Sequence, residues 1–197
     1  SPLNANHSSG VAASAQFLSG LTGFSAQEQT SMYMAGYVHD LGKLAVPVHI
    51  LEKAGPLDND ERGVIRSHPY FTFHILSKIP ELDTIKLWAS LHHERLDGQG
   101  YPFGLEGKNL PLGAQILAVA DVYTALNEDR PYRSALNQAE SMAIMEKMAS
   151  NRAINGDLVE LLHKNFAEMD WRRKKAQEIS AREYRDINPL FNQPLGA

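Results

Sequence analysis

Apolar residues recur three and four positions apart over most of this chain, which is the spacing of an amphipathic helix. The first such series comprises Val11, Ala15, Leu18 and Leu21. Gly20 and Gly23 lie at its end and offer positions at which a helix can stop. The pattern therefore predicts a first helix that begins at or before His7.

Capping signatures predict where two later helices begin. Ser25 with Glu28 has the form of a capping box, in which the serine accepts the third amide and the glutamate reaches back. The apolar helix that follows delivers the pair His39 and Asp40 at its end. A second box, Asp58 with Glu61, starts the next helical region.

A proline suits the first turn of a helix, so Pro69 predicts a helix start directly at His68. We expect this helix to end near Pro80. His68 is then placed at a junction between two helices.

The following helix is predicted to point a histidine inward. Its i, i+3, i+4 and i+7 positions are Ile85, Trp88, Ala89 and His92. Residues 94–113 then carry five glycines and two prolines, which predicts a long structured loop. Loops of this length are often functional.

Helical patterning resumes over residues 112–126, where small residues surround Asp121. Two further helices are predicted from the pairs Asn137 with Glu140 and Asp157 with Glu160. The charged stretch 171–185 predicts a surface helix. Because no stretch alternates as a strand would, the predicted fold class is all-α.

Composition limits the partners that the chain can bind and the residue types that can hold a metal. The 197 residues, 43% hydrophobic, are enough for one core, and 19 basic against 23 acidic residues imply no general surface for a DNA or RNA duplex. Without cysteine, any metal must be held by His, Asp or Glu. No apolar run approaches the roughly 20 residues of a membrane span, so no membrane contact is expected and a cytoplasmic location is the default prediction.

Two pairs of adjacent residues, each with at least one histidine, carry the candidate chemistry. His39 and Asp40 are adjacent and can both reach a metal, although such a dipeptide alone is weak evidence. His92 and His93 are stronger evidence because they directly precede the glycine-rich loop.

The stretch HHERLDGQGYP at 92–102 resembles the HHExxDGxGYP signature of the HD-GYP family within the HD phosphohydrolase superfamily. Further matches occur in the family order: HDLGK at 39–43, HP at 68–69, ADVYTAL at 120–126 and RPYR at 130–133. The resemblance covers roughly residues 7–165 and implies an HD-domain helical bundle with a long GYP loop.

The resemblance implies a catalytic domain over residues 1–168 and a C-terminal helical extension of the same domain over 169–197. It also implies an upstream sensory or receiver domain and allows a homodimer. The implied reaction is hydrolysis of cyclic di-GMP to linear pGpG in bacterial second-messenger signalling. The implied cofactors are divalent metal ions, most often iron or manganese.

Carried over residue by residue, the resemblance implies a set of seven metal ligands. One ion would be held by His7, His39 and Asp121 and the other by His68, His92 and His93, with Asp40 bridging. Asp40 and Lys43 are the predicted catalytic residues. Lys43 is also assigned to a substrate phosphate, and further substrate contacts are assigned to Gly100, Tyr101, Arg130 and Arg133.

Other polar residues receive structural assignments. Glu94 and Asp97 are predicted to fix the loop by hydrogen bonds rather than to bind metal. His49, His74 and His163 lie outside the motifs and are expected to have no role in the site. The methionines Met32, Met34, Met142, Met145 and Met148 are predicted to fill the core.

The chain departs from the family pattern in its first helix. Leu3 stands where some members have a glutamate that helps to hold a third metal, and Gly10 stands where an arginine is usual. We therefore predict two ions, and a domain that linearises the cyclic dinucleotide faster than it cleaves the linear product. Val48, in place of a common aspartate, is a smaller difference.

Two alternatives to this function remain at the level of sequence. The domain can act on another cyclic dinucleotide such as cyclic GMP-AMP, while its GYP loop disfavours mononucleotides. It can also be a catalytically weak module that binds a cyclic dinucleotide or a partner protein.

Overall fold

The computed structural model describes residues 2–130 and 133–191, with side chains for 5–130 and 133–187. Its helices are α1 (Pro2–Leu21), α2 (Ala26–Val38), α3 (Val48–Leu51), α4 (Asn59–Arg66), α5 (His68–Leu76), α6 (Asp83–Ser90), α7 (Leu112–Asn127), α8 (Gln138–Ser150), α9 (Gly156–Lys164) and α10 (Phe166–Phe191). Short 3-10 turns occupy Leu41–Ala45, Pro80–Leu82 and Gly107–Asn109. These described residues contain no strand, which confirms the all-α prediction.

The core forms where α1 and α7 cross, with α2, α6 and α10 packed around them. Its largest fully buried side chains include Leu18, Met32, Leu117, Tyr123, Met145, Leu162 and Met169. The methionine prediction is confirmed for Met32, Met142 and Met145, with Met148 packed against the core. It is wrong for Met34, which lies on the outer side of α2 and is exposed.

The predicted helix starts are largely confirmed. Capping boxes form at Ser25, Asp58 and Asn137. The last predicted cap is wrong, because α9 begins two residues earlier, where the Asn155 side chain accepts the amides of residues 157 and 158. Asparagine is a strong N-cap residue, and its short amide reaches both donors.

The first helix ends where Gly20 and Gly23 predict, whereas two other helix boundaries differ from expectation. Leu21 lies at the exposed end of α1, and Gly23 then adopts a φ of +88° that ends the helix. The helix from His68 ends at Leu76, well before Pro80, which instead starts a 3-10 turn. α6 ends at Ser90, so His92 lies in the turn after the helix, although it is buried as predicted.

α10 is partly buried, although its charged sequence predicts a surface helix. It packs along α1, and both Met169 and Arg173 are buried there. The predicted division at residue 168 falls inside this continuous helix. None of the described helices has the length and apolar character needed to cross a bilayer.

Gly42 sets how closely the turn Leu41–Ala45 approaches the start of α5. A Cβ at this position would overlap the carbonyl oxygen of His68 and lie 2.6 Å from the Thr72 amide nitrogen. The Gly42 amide also donates to the Thr72 hydroxyl at 2.9 Å. Glycine is therefore required here because backbone, rather than a movable side chain, occupies the space.

We expect Gly42→Ala to lower the free energy of unfolding by about 1–3 kcal/mol, since the added Cβ would overlap backbone atoms and no side-chain movement can make room for it. The matched control is Gly63→Ala in α4, where a Cβ meets no atom within 4 Å. That change should raise the free energy by about 0.5–1 kcal/mol. Urea unfolding of both variants measures the difference, and equal stability of Gly42→Ala and wild type would contradict this packing.

Candidate metal centre

Seven histidine and aspartate side chains from separate parts of the chain converge in one place. They come from α1, from the end of α2, from the start of α5, from the turn after α6 and from α7. The residues are His7, His39, Asp40, His68, His92, His93 and Asp121. All seven predicted ligand positions are thus brought together, including His7 of the helix that departs from the family pattern.

Their ligand atoms fall into three overlapping groups, each with all atoms within 4.8 Å of one another. The groups are His7, His39 and Asp121; His68, His92 and His93; and His39, Asp40 and His92. The first two have the composition that the resemblance implies for two ions. The third contains the predicted bridging residue, Asp40, and a histidine from each of the others.

Three of the histidines are oriented by the backbone one turn before them. The Nδ1 atoms of His39, His68 and His92 each lie 2.7 Å from a carbonyl oxygen. The three carbonyls belong to Gly36, Ile65 and Ala89. A carbonyl can only accept, so Nδ1 carries the proton and Nε2 is left with a bare lone pair.

These lone pairs are directed at one another. The Nε2 atoms of His68 and His92 are 3.4 Å apart, although neither has a proton to share when Nδ1 is the donor. Two such lone pairs repel across this distance unless a cation lies between them. The donor set, neutral imidazole nitrogens with carboxylate oxygens, therefore fits divalent transition-metal ions.

The carboxylates of the site are held in their ionised form. Burial opposes the charge of Asp40, but His39 and His68 in their protonated form, together with Lys43, outweigh it and keep its pKa well below the usual range. Lys43 Nζ lies 2.6 Å from Asp40 Oδ2. Asp121 is likewise buried, yet its hydrogen bond to His7 and the nearby His39 lower its pKa.

The paired histidines are held neutral. Burial, together with the neighbouring imidazoles His93 and His39, keeps the pKa of His92 well below its usual value. Burial likewise lowers the pKa of His93 to about 4. Both side chains therefore offer nitrogen lone pairs at neutral pH without first losing a proton.

His7 lies between two carboxylates. Its Nε2 is 3.0 Å from Asp121 Oδ1, and its Nδ1 is 2.9 Å from Glu128 Oε1. Burial acts to lower its pKa, but the hydrogen bonds to these two residues raise the pKa to about 9, so a metal ion bound at Nε2 would displace a proton. No motif of the sequence indicated Glu128, which directly follows α7, seven residues after Asp121.

A cavity of about 770 Å³ reaches this centre at His7 and Asp40, the two of the seven side chains that line it. Lys43 and Arg130 line it, as their predicted substrate role requires. Arg133 does not line it and instead donates from its guanidinium to the Ala125 carbonyl at 2.6 Å. Pro131 and Tyr132 of the RPYR motif, and the side chain of Leu3, lie outside the described part of the chain.

The GYP loop packs beside the histidine cluster. The centre of the Tyr101 ring lies 4.8 Å from the centre of the His93 ring. The Arg66 guanidinium lies 4.5 Å from the Tyr101 ring centre, a contact that no sequence motif indicated. Gly100 packs against the backbone of Glu94, where a Cβ would overlap. The need for glycine at position 100 thus comes from the loop itself rather than from an approaching substrate.

Glu94 binds the loop as predicted. Its buried carboxylate accepts the backbone amides of Phe103, Gly104 and Leu105 at 2.7, 3.1 and 2.9 Å. Asp97 accepts from Arg95 and from the Gln99 amide. The remaining histidines, His49, His74 and His163, are exposed and belong to none of the ligand groups among the described residues.

We expect Glu94→Gln to lower the free energy of unfolding by about 2–3 kcal/mol, because an amide NH₂ group would face backbone donors in a buried site. The matched control is Glu106→Gln, an exposed residue of the same loop, which should change stability by less than about 0.5 kcal/mol. Urea unfolding in excess chelator keeps metal binding from masking the difference. Equal effects of the two variants would contradict the role of Glu94.

Comparison with known proteins agrees with this arrangement. The sequence pattern of the HD domain family matches residues 1–158. The chain is 37% identical over 159 residues to the 3'3'-cGAMP-specific phosphodiesterase 1 of Vibrio cholerae, covering 81% of this chain and 37% of that protein.

Two further relatives are named for a different cyclic dinucleotide, cyclic di-GMP. The cyclic di-GMP phosphodiesterase of Thermotoga maritima is 34% identical over 77% of this chain and 42% of its own length. The cyclic di-GMP phosphodiesterase response regulator of Xanthomonas campestris is 42% identical over 62% of this chain and 33% of its own. The chain thus spans less than half the length of these relatives. With its clustered histidines and aspartates and its all-α fold, the chain belongs to the HD domain family.

Proposed function

We propose that this domain is a metal-dependent phosphodiesterase that hydrolyses cyclic di-GMP to linear pGpG. The observation that carries the proposal is the convergence of histidine Nε2 lone pairs on two carboxylates, beside a cavity that His7 and Asp40 line. The Nε2 atoms of His68 and His92 are only 3.4 Å apart. The cavity volume of about 770 Å³ lies within the range of roughly 300–1,000 Å³ typical of ligand sites.

Two divalent ions, iron or manganese, are the proposed cofactors. One would be held by His7, His39 and Asp121 and the other by His68, His92 and His93, with Asp40 between them. When bound, the ions would lower the pKa of water and neutralise charge on the phosphate. No protein nucleophile is needed.

The chain's own residues hold the substrate against this centre. Lys43 forms an ion pair with Asp40 and lines the cavity, where its ammonium group can donate to a phosphate oxygen. Arg130 lines the same cavity and can bind a second phosphate. Tyr101 offers a ring beside His93 for a guanine base or a phosphate.

In the reaction one phosphorus–oxygen bond of the ring breaks. Water supplies the new oxygen on phosphorus, and the ribose oxygen leaves as a hydroxyl. Because Leu3 offers no ligand atom for a third ion, we propose that this first cleavage outpaces cleavage of the linear product.

Cyclic GMP-AMP is the second candidate substrate. The relative that matches 81% of this chain is named for that dinucleotide, whereas the other two relatives are named for cyclic di-GMP. Choice between guanine and adenine depends on a few hydrogen bonds at the base. A catalytically weak binding module is the third candidate, and the complete set of seven side chains argues against it.

The resemblance also suggests a setting for the domain. We propose that it works in the cytoplasm beside an upstream sensory or receiver domain, as the response-regulator name of one relative suggests. A homodimer is compatible with this arrangement.

Cyclic di-GMP and cyclic GMP-AMP, each followed over time with Mn²⁺ or Fe²⁺, should yield a linear dinucleotide first. Asp40→Ala should lower the rate at least about 10³-fold, because loss of the bridging carboxylate removes several kcal/mol of charge stabilisation. Liquid chromatography of the products measures both effects. A wild-type protein that turns over neither dinucleotide would favour the binding module.

Metal content should be two ions per chain by elemental analysis. His68→Ala should lower it to one, because the nitrogen it removes belongs to only one of the two three-residue groups proposed to hold an ion each. The control His74→Ala changes an exposed histidine of the same helix and should keep two. Three ions in the wild type would refute the two-ion proposal.

A further inference from the structure

Glu128, at the end of α7, is held on both of its oxygens. Its Oε1 accepts from His7 Nδ1 at 2.9 Å and from Arg130 Nη2 at 2.8 Å. Its Oε2 accepts from Gln177 Nε2 at 3.0 Å. Donors from three separate elements therefore fix the direction in which this carboxylate meets the His7 ring.

The Gln177 amide is itself oriented by a buried arginine. Arg173 Nη1 donates to Gln177 Oε1 at 2.7 Å, while its Nη2 donates to Asp170 Oδ1 at 2.6 Å. A guanidinium can only donate, so it takes the amide oxygen and leaves the amide nitrogen facing Glu128. Since Arg173 is only 3% exposed, water does not compete for this arrangement.

Gly10 of α1 leaves the space that this chain of contacts needs. A Cβ at position 10 would lie 2.8 Å from Gln177 Nε2 and 2.9 Å from Thr124 Cγ2. Any larger residue would press on the amide group that binds Glu128. The glycine and the glutamine thus fit together across the contact between α1 and α10.

We propose that Arg173 and Gln177 of α10 are positioning residues for His7. They hold Glu128 where it accepts the Nδ1 proton of His7, so that Nε2 is presented towards Asp121 and His39. The proposal rests on the proposed function in one respect, that His7 is a metal ligand. α10 begins at Phe166, beyond the residues 1–158 that match the family pattern, so this support lies outside the matched region.

Mn²⁺ affinity measured by titration calorimetry tests the proposal without relying on hydrolysis. Loss of a partner that orients a ligating histidine typically lowers metal affinity about 10–100-fold. We expect Glu128→Ala and Gln177→Met each to lower the affinity for one of the two Mn²⁺ ions by about that factor. The affinity for the other ion should stay unchanged. The control Glu183→Gln, on the face of α10 near Tyr33 and Tyr37, should bind both ions as the wild type does.

His7→Ala separates positioning from a general structural effect. In that background Gln177→Met should cause no further loss of Mn²⁺ affinity, whereas a general loosening of the fold would add to the loss. If Glu128→Ala does not fold, Gly10→Ala supplies the test. It improves helix propensity yet displaces the Gln177 amide, so one Mn²⁺ should again bind more weakly.

Wild-type affinity for both ions in Gln177→Met would overturn the positioning role. Unchanged binding in His7→Ala would overturn it as well, because His7 would then hold no ion. A wild-type protein that cleaves neither dinucleotide, but shows the expected pattern of Mn²⁺ affinities, would refute the proposed function and support the positioning role.

Discussion

The hydrogen bonds that bind three histidine Nδ1 atoms to backbone carbonyls are the interaction on which the rest of the site depends. Each joins a histidine to the residue three positions earlier, at 2.7 Å. Each proton placed on Nδ1 leaves a lone pair on Nε2, and the packing of α2, α5 and α6 directs these lone pairs into one space. Bound cations would offset the resulting repulsion, so the geometry of the site favours metal binding.

Charged groups are tolerated in the interior because they have polar partners there. Asp40 and Asp121 are largely removed from water, where an isolated carboxylate would be costly, but each has imidazole or ammonium partners within hydrogen-bonding distance. The apolar core between α1 and α7 then holds the elements that carry these groups. Close backbone contact at Gly42 brings the turn after Asp40 against the start of α5, next to His68.

His7 is supported by different means from those three histidines. They are oriented by their own local backbone, so their geometry follows from the helix ends that carry them. The Nδ1 of His7 instead meets the Glu128 side chain, which is held by Gln177, 49 residues further on. A ligand at this position therefore depends on α10, the element that completes one wall of the cavity.

The amino-acid sequence by itself determined the helix starts at Ser25, Asp58 and Asn137, because a capping box is formed by residues close together in the chain. The set of seven converging side chains was predicted from the resemblance of the chain's motifs to those of a known family. The sequence did not determine the partner of His7 or the stacking of Arg66 on Tyr101, which join residues distant in the chain. Only the tertiary structure decided these contacts. Each depends on how helices pack, and the same side chains on another packing would meet other partners or water.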